Sequence, residues 1–380
     1  MYYRFSPYVT LIKEEKALRI FNSVNGFLCS ITDPIGVSKI QDIQNSLFFE
    51  EALPPEMFNE LIRNNCIIKK DYPIVEDCIN NAKKVFEMRN VLVVLVVLER
   101  DGKQMKTDDI IKVATALKHY IIEKNIKNLH VEIYCGCTAS DKLINMVKSL
   151  MDLLNLDTTT FSVSLQTVPA SGLFEELQTH LTAVNIEIKY DEALQKLNEI
   201  ATLKELFGHT AHVTLLCTTE EIFDLEAHPF PFDYSFLIIK KGENEEYQKD
   251  HILTEIIRIE EANECNQTRH FPTWLLPAAL VCKAAYEWYF IIDYDLNLKK
   301  CIEHLDEEQN IVGRIEDKLK ISDISLFNYN RDSVINDKQC TSCAVLGLCY
   351  KMHCPWDTYF TGNNNCPIQK ELISEYLLTI

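Results

Sequence analysis

The feature that most constrains this chain is a group of closely spaced cysteines near its end. Five of them fall between residues 340 and 366: Cys340, Cys343, Cys349, Cys354 and Cys366. Two thiolates separated by two residues can bind one metal centre from a single turn, and further thiolates then complete four-coordination. Zinc and iron–sulfur clusters both accept four thiolates, so the spacing alone does not choose between them. Buried free cysteines are the alternative, but so dense a group is more typical of metal ligands.

The composition is that of a globular protein. Of the 380 residues, 47% are hydrophobic and 25% are charged, and the net charge is −18. This length allows two or three domains. An acidic surface argues against a nucleic-acid partner, because neutralising phosphates requires a basic face, but it would suit a basic peptide.

Neither a targeting segment nor a membrane span is expected from the sequence. Met1–Thr10 is aromatic and polar rather than basic and then apolar, unlike a signal peptide. The longest apolar run, Val91–Leu98, is too short to cross a bilayer. We therefore expect a soluble cytoplasmic protein with no membrane partner. In a reducing compartment its 14 cysteines would not form a disulfide framework.

The first region, residues 1–71, has the pattern of a small winged-helix-like domain. Tyr8–Ile12 and Ala17–Asn22 flank a polar turn and predict a β-hairpin. A helix is predicted from Pro54–Pro55, since proline is tolerated in a first helical turn. Its apolar face comprises Met57, Phe58, Leu61 and Ile62. Cys66–Ile68 is expected to return as a short strand.

The second region, residues 82–297, repeats strand and helix. Asn90–Leu98 is a continuous apolar run, as expected for a strand buried on both faces. Thr107 is predicted to cap a helix with an apolar stripe at three- and four-residue spacing. Further strands are predicted at Leu129–Tyr134, Phe161–Leu165, Val184–Lys189, Val213–Cys217 and Tyr234–Ile239, with a helix at Asp141–Leu154. Strands separated by helices of this length imply parallel pairing in an α/β barrel or an open sheet.

The third region, residues 298–380, contains the cysteine group. A β-hairpin is predicted where it begins, from Tyr289–Asp293 and Asn297–Cys301. From Cys340 the spacing reads C-x2-C-x5-C-x4-C, with Cys366 as a later lone cysteine. This segment resembles the SPASM domain of radical-SAM peptide maturases, whose core reads C-x2-C-x5-C-x3-C and is also followed by a lone cysteine.

The resemblance implies which cysteines bind a cluster. In the family, the first three core cysteines and the final lone one hold the outer auxiliary cluster. The corresponding residues here are Cys340, Cys343, Cys349 and Cys366, which form a complete set. We therefore expect one [4Fe–4S] cluster at these four residues, with zinc as the alternative.

The upstream part of the family pattern is incomplete in this chain. The family has a cysteine, a glycine and a second cysteine at set spacings. Cys301 and Gly313 match the first two positions, whereas the third is Lys318. Of the usual ligands of the family's inner cluster, only Cys301 and Cys354 are present. We therefore predict a single cluster and regard these two cysteines as possible additional metal ligands.

The signature of radical SAM catalysis is missing. Such enzymes carry C-x3-C-x2-C just after the first barrel strand, and the resulting cluster binds S-adenosylmethionine. The resemblance places that strand at Asn90–Leu98, and residues 99–108 contain no cysteine. The glycine-rich turn after the second strand is replaced by Cys135-Gly136-Cys137, whose thiols are more typical of packing at a strand end than of a metal site. No P-loop, G-x-G-x-x-G, G-x-S-x-G or H-E-x-x-H motif occurs.

Together these patterns predict an α/β fold. The resemblance implies a degenerate radical-SAM-like partial TIM barrel with an N-terminal winged-helix-like domain and a C-terminal SPASM-like iron–sulfur module. It further implies a pseudoenzyme without catalytic residues or bound S-adenosylmethionine. Such a protein would pair with a radical SAM maturase or present the precursor peptide, bound as an added strand, during ribosomal peptide maturation. The alternative is an active iron–sulfur redox enzyme or electron-transfer subunit of a peptide-modifying complex.

Overall fold

The computed structural model describes residues 1–23, 25–77, 90–136, 141–168, 177–178, 180–227, 229–241, 247–250, 284, 288–316, 318–321 and 343–344. These residues fall into two compact units. The first contains residues 1–77, 284 and 343–344. The second contains the described residues of 90–250 and 288–321.

The first unit combines two small antiparallel sheets with two helices. Its strands are β1 (Tyr3–Phe5), β2 (Val9–Lys13), β3 (Leu18–Asn22), β4 (Phe27–Ile31) and β5 (Ile67–Lys69), and its helices are α1 (Pro34–Ile43) and α2 (Pro55–Arg63). One sheet has the order β2-β3-β4, and β1 pairs with β5 in the other. The predicted hairpin, the helix after Pro54 and the short return strand are all confirmed.

The core of the first unit explains why these segments fold together. The inward side chains of β3, both helices and β5 are almost fully buried: Leu18, Ile20, Ile40, Phe58, Leu61 and Ile67. Helix α1, which the sequence analysis did not predict, begins with Pro34 directly after Asp33. The Asp33 carboxylate accepts a hydrogen bond from the Gly36 backbone N–H at 2.8 Å. A side-chain cap of this kind satisfies one of the unpaired donors of a first helical turn.

The second unit is built around one large sheet. Its strands are β6 (Val91–Arg100), β7 (Lys103–Gln104), β8 (Asn128–Cys135), β9 (Thr159–Leu165), β10 (Ala183–Lys189), β11 (Ala211–Cys217), β12 (Ser235–Lys241), β13 (Tyr247–Asp250), β14 (Tyr289–Ile292), β15 (Asn297–Lys299), β16 (Ile311–Ile315) and β17 (Leu319–Ile321). Its helices are α3 (Thr107–Lys124), α4 (Asp141–Leu153), α5 (Tyr190–Gln195), α6 (Leu197–Phe207) and α7 (Thr219–Ala227).

The sheet is mostly parallel, as the sequence predicted. In the described part, its strands follow the order β13-β12-β11-β10-β9-β8-β6-β14-β15-β16-β17, and β7 pairs with β6. Neighbouring strands run parallel from β14 through β6 to β12, and antiparallel strands flank them on both sides. The protein therefore has a mixed α/β fold with a large parallel central sheet. Two short helices, α5 and α6, connect β10 to its parallel neighbour β11.

The large sheet supplies the core of the second unit, with β6 and β14 buried on both faces and β8 on one. On β8 the buried residues Leu129, Val131 and Ile133 alternate with half-buried polar ones. Helices α3 and α4 bury apolar stripes, in which Val113 and Val147 are fully enclosed. Thr107 begins α3 rather than capping it, because Lys106 occupies the cap position and donates no side-chain cap bond.

The predicted hairpin at residues 289–301 is also confirmed, as β14 and β15. Its first strand pairs in parallel with β6, the first strand of the predicted strand–helix repeat. None of the described helices is both long enough and apolar enough to cross a membrane.

Candidate metal centre

Two of the six predicted metal ligands lie in the part of the chain that the structure describes. These are Cys343, in the first unit, and Cys301, in the second. The other four fall outside the described residues: Cys340, Cys349, Cys354 and Cys366. Among the described residues, no group of three or more His, Cys, Asp or Glu side chains is placed to hold a metal ion. The ligand sets therefore stay predictions.

Cys343 lies half-buried against the N-terminal strands. It packs on a small cluster formed by Tyr8, Ile68 and Ile74, in which the Tyr8 side chain is almost completely enclosed. The next residue is held by a hydrogen bond, because the Ser23 hydroxyl donates to the Ala344 carbonyl oxygen at 2.6 Å. Residues from β5 and from the turns that flank β2 and β3 therefore form the surroundings of Cys343. A partly enclosed thiol on an apolar floor is chemically compatible with a thiolate-ligated cluster, whose environment limits solvent access.

Cys301 is positioned by the side chain of a single buried residue. Asn310 is 0% exposed, and its Oδ1 accepts hydrogen bonds from the backbone N–H groups of Lys300 and Cys301, both at 3.1 Å. Its Nδ2 donates to the carbonyl oxygens of Cys301, at 2.7 Å, and His304, at 2.9 Å. One amide thus uses its donors and acceptor to fix both ends of the turn that carries Cys301.

Two buried lysines support the same turn from within. Lys299 Nζ lies 3.4 Å from Asp293 Oδ2, and both side chains are nearly excluded from solvent. Lys300 Nζ donates to the Tyr289 carbonyl oxygen at 2.7 Å and lies 4.4 Å from the centre of the Phe290 ring. Both ammonium groups have anionic, carbonyl or aromatic partners, as a buried charge requires.

Gly313, the glycine of the upstream family pattern, allows two strands to approach closely. A Cβ atom built at this position would lie 2.1 Å from the Lys320 carbonyl oxygen. Residue 313 pairs with Ile321 in the β16–β17 ladder, so the backbone of the neighbouring strand occupies the space of a side chain. This geometry gives a local steric reason for the glycine.

The turn after β6 is a tight hairpin that contacts the Cys301 turn. It runs through Asp101 and Gly102, both at positive φ, into β7. Arg100 donates to the Ile302 carbonyl oxygen, and Lys103 Nζ lies 2.6 Å from Asp306 Oδ1. The Lys103 ammonium, together with the Tyr294 hydroxyl, lowers the pKa of Asp306. The cationic side chains of this hairpin are therefore used in holding residues 302–306.

Glu99, at the end of β6, was not found by the sequence analysis. A register shift between Val97 and Glu99 is a β-bulge that pairs Glu99 with Cys135 and brings it onto the apolar face. The side chain is 5% exposed, and its Oε2 has no hydrogen-bond partner among the described residues. Gly136 makes room for it, because a Cβ there would lie 2.6 Å from Oε2. The bulge depends on pairing between strands and has no local sequence signature.

The remaining described cysteines are protonated packing residues. Burial, and secondarily the Glu99 carboxylate, raises the pKa of the Cys135 thiol to about 12. Burial likewise raises the pKa of Cys29 and of Cys217 to about 12, and that of Cys66 well above its ordinary value. The structure thus agrees with the interpretation of Cys135 as a packing residue at a strand end, while Cys137 lies outside the described residues.

The second face of the parallel sheet carries a hydrogen-bonded polar array. His130 Nδ1 lies 2.9 Å from Thr160 Oγ1, and its Nε2 lies 3.0 Å from Ser162 Oγ. On the same face, Ser164 Oγ donates to Glu132 Oε1 at 2.8 Å. These contacts join β8 to β9 through side chains as well as backbone. The alternation of His130, Glu132 and Tyr134 within a predicted strand was the available sequence signal for a polar face.

Comparison with protein-family models finds no match to this chain, and a search of curated proteins finds none. Among solved structures, the crystal structure of Streptococcus suis SuiB is similar over 91% of this chain and 94% of that chain, with 13% sequence identity and a TM-score of 0.46. This is a distant structural relation. At this identity and TM-score we base no conclusion about function on it.

Proposed function

We propose that this chain is a non-catalytic iron–sulfur partner in the maturation of ribosomally synthesised peptides. It would pair with a radical SAM maturase, present the precursor peptide to it, or do both. In this proposal the parallel sheet is a degenerate partial barrel, residues 1–71 recognise the peptide, and residues 298–380 form a SPASM-like module.

The observation that carries the non-catalytic role is the hairpin after β6. A radical SAM enzyme needs a three-cysteine loop at this position, and residues 99–106 are fully described and contain no cysteine. They form a tight turn whose Arg100 and Lys103 hold the segment that carries Cys301. A degenerate barrel that uses this position for packing would have no ligands there for a catalytic cluster.

The cluster itself would be held by Cys340, Cys343, Cys349 and Cys366. Four thiolates saturate the ligand positions that the protein must supply to a [4Fe–4S] cluster, so this group provides a structural or electron-transfer centre rather than an open catalytic one. Cys343 would enter the site from the apolar floor formed by Tyr8, Ile68 and Ile74. The Ser23–Ala344 hydrogen bond would fix the backbone beside it.

Peptide recognition would use the three-stranded sheet of the first unit. Its outer strands in the described order are β2 and β4, and the edge of a sheet is a template for an added strand. A net charge of −18 favours encounter with a basic peptide, at a rate that falls as salt screens the attraction.

The metal assignment can be tested on anaerobically purified full-length protein. We expect about four irons and four sulfides per chain, from one cubane cluster. Replacing Cys343 by alanine should remove them, whereas Cys29→Ala should retain them, because Cys29 lies outside the predicted ligand set. One zinc per chain without iron would refute the iron–sulfur assignment.

The non-catalytic role requires a separate assay. Incubated with S-adenosylmethionine and a strong reductant, the purified protein should form no 5′-deoxyadenosine. Robust formation would refute the pseudoenzyme proposal. Turnover-linked oxidation and reduction of the bound cluster, with a modified peptide as product, would instead favour the redox-enzyme alternative.

Association with a peptide is best tested with point variants. Deleting residues 1–71 would remove Tyr8, Ser23 and Ile68, and with them the surroundings of Cys343. Variants that add positive charge at exposed positions of these edges, Glu15→Lys beside β2 and Ser30→Lys on β4, leave those contacts in place and should repel a basic peptide. If neither edge variant weakens co-purification with a precursor peptide and its maturase, peptide recognition does not use this sheet.

A further inference from the structure

The small sheet of the first unit has a face that does not point into the core. Strand β1 pairs with β5 on one side, and on the other side backbone hydrogen bonds of 2.9 and 3.1 Å join Tyr3 to Phe48. The side chains of Tyr3, Phe48 and Ile67 lie in the core, and side chains alternate along a strand. Their neighbours therefore form the opposite face, which we call the outer face of β1: Tyr2, Arg4, Leu47, Phe49, Ile68 and Lys70.

Three apolar side chains of the outer face of β1 are exposed. Tyr2 and Phe49 are each 48% exposed, and Leu47 is 45% exposed. The ring centres of Tyr2 and Phe49 lie 4.3 Å apart, so the two rings already support each other as a platform. Exposed apolar residues that adjoin one another are typical of interaction sites, whereas single ones need no explanation.

Two cations lie on the same face. Arg4 is half-buried, and its Nε atom is buried without a hydrogen-bond partner among the described residues. Lys70 is exposed, and its backbone N–H donates to the Tyr2 carbonyl oxygen at 3.0 Å, which places it beside that ring. Neither cation forms an ion pair within the described part of the chain. Because a buried guanidinium nitrogen without a partner is costly, Arg4 is available to an anionic group.

The spacing of these groups indicates the chemistry of a partner. Tyr2 and Arg4 are two residues apart, which is about 7 Å along a strand. An extended segment that carries an apolar and an acidic side chain two residues apart therefore matches both. A free carboxyl terminus matches less well, because backbone N–H groups usually bind it, and those of β1 face β5 and Phe48.

Two other occupants fit the charges of this face less well. A second copy, placed symmetrically on the first, would bring the two pairs of cations together. An anionic membrane typically needs clusters of about four to eight Lys or Arg residues. The outer face of β1 offers two, on a chain with a net charge of −18 and with the exposed acidic residues Glu50 and Glu51 directly after Phe49.

We propose that the outer face of β1 binds an extended acidic and apolar segment of a partner protein. Carboxylates of the segment bind Arg4 and Lys70, and its apolar side chains pack on Tyr2, Leu47 and Phe49. This face is separate from the β2 and β4 edges, and it selects the opposite charge from the basic peptide proposed there. The proposal does not depend on the iron–sulfur assignment or on the proposed maturation role.

Fluorescence anisotropy of the full-length protein with a labelled, C-terminally amidated peptide tests this surface. In the peptide Leu-Leu-Glu-Glu-Phe-Leu-Glu-Glu, apolar and acidic residues alternate at two-residue spacing, and we expect a Kd of about 0.1 mM or tighter. Replacing every Glu by Gln, or every apolar residue by Ser, should weaken binding at least about tenfold. The net charge of −18 repels the acidic peptide, so its preference over the Gln peptide requires a local cationic site.

Variants connect the binding to the outer face of β1. Arg4→Gln and Phe49→Ser should each weaken it about tenfold, and Arg4→Lys should weaken it less than Arg4→Gln. Lys70→Gln, at an exposed position that does not affect folding, should weaken it about two- to fivefold. The controls are Lys106→Gln and Ile122→Ser, which change an exposed lysine and an exposed isoleucine of the second unit and should have no effect.

The proposal is overturned if the acidic peptide shows no saturable binding or binds no more tightly than the Gln peptide. Equal losses in the control variants would also overturn it. Vesicles of equal parts phosphatidylcholine and phosphatidylglycerol should not co-sediment with the protein. Co-sedimentation that Arg4→Gln abolishes would assign this face to a membrane instead of a partner protein.

Discussion

The hydroxyl of Ser23 donates a hydrogen bond to the carbonyl oxygen of Ala344, across 2.6 Å. Ser23 follows β3 directly and is 6% exposed, and its own backbone N–H donates to the Tyr8 carbonyl oxygen at 3.0 Å. One residue therefore connects the N-terminal hairpin to the backbone next to Cys343. This connection makes the N-terminal region part of the proposed metal site.

Ser23→Ala should destabilise the first unit and weaken metal retention at the proposed cluster site. The substitution leaves the Ala344 carbonyl without its donor, which costs about 1–3 kcal/mol for a buried group. We expect a lower free energy of unfolding in urea and faster iron release to a chelator. Ser46→Ala is the matched control, because Ser46 makes an exposed hydrogen bond to Ile43 and should change stability by less than about 0.5 kcal/mol. Equal effects of the two variants would contradict the role assigned to Ser23.

Asn310→Ala should destabilise the second unit by about 2–4 kcal/mol, since it removes four hydrogen bonds from a fully buried side chain to the backbone of the Cys301 turn. The change can be measured by urea denaturation with the intrinsic fluorescence of the protein as the signal. The accessibility of Cys301 to a thiol reagent should rise in the same variant, because the turn that carries it is no longer fixed. Asn128→Ala, at an exposed strand end, provides the control and should alter neither quantity.

Gly313→Ala should be among the most damaging small substitutions in the protein. The new Cβ would fall 2.1 Å from the Lys320 carbonyl oxygen, which is backbone and cannot move without separating β16 from β17. We expect a loss of at least about 3 kcal/mol, measured by thermal and urea unfolding. Gly102→Ala meets open space at positive φ and should cost only about 1 kcal/mol. A smaller loss at position 313 than at position 102 would refute this steric explanation.

Glu99 and Gly136 should be energetically coupled. Gly136→Ala places a Cβ 2.6 Å from Glu99 Oε2 and is expected to destabilise the protein by about 1–3 kcal/mol. In a Glu99→Ala background the same substitution should cost less, because the crowding carboxylate is gone and only the Glu99 backbone oxygen, at 3.0 Å, remains close. A double-mutant cycle measures the difference, expected to be about 0.5–3 kcal/mol for residues in contact. Additive effects within error would show that the two residues do not compete for space.

Stability should fall above pH 9 because of the buried thiols. The pKa of Cys217 is raised from 9.0 to about 12 in the folded protein by burial and by Glu221. Between these values the unfolded chain loses a proton that the folded chain keeps, so unfolding becomes easier as pH rises, by up to about 1.4 kcal/mol per pH unit. Cys217→Ser should reduce this slope by the share of one thiol, while Cys29, Cys66 and Cys135 keep theirs. Leu215→Ala, which leaves every thiol in place, should lower stability at all pH values and keep the slope.

The parallel sheet could be predicted from sequence because its signals are local. Continuous apolar runs such as Val91–Leu98 predict buried strands, and the apolar residues at three- and four-residue spacing between these runs predict helices. Strands connected by helices pair in parallel. Asp33-Pro34 is an equally local signal for the start of α1, and β4 (Phe27–Ile31) lies just before it; the sequence analysis predicted neither element. The helix at Thr107 was placed correctly, while the cap was assigned one residue late.

The candidate site was less predictable, because its features arise from contacts between distant residues. Nothing in the sequence distinguishes Asn310 from other polar residues of turns, because its role depends on hydrogen bonds between its amide and the backbone of the Cys301 turn. The bulge that buries Glu99 exists only in the pairing of β6 with β8. The link between Ser23 and Ala344 joins residues from nearly opposite ends of the chain. The cysteine spacing, by contrast, is visible in sequence, and its ligand assignment stays a prediction.

The parallel pairing of β6 with β14 has a consequence for how the protein is made. Val93 pairs with Tyr289, so the middle of the sheet is completed by a strand that leaves the ribosome long after its partner. Until then, one side of the apolar strand Val91–Leu98 has no backbone partner. Because this strand pairing is non-local and forms late, it slows folding and leaves an aggregation-prone intermediate during synthesis. We therefore expect the nascent chain to depend on chaperones during expression. This dependence should end once residues up to Ile292 have left the ribosome.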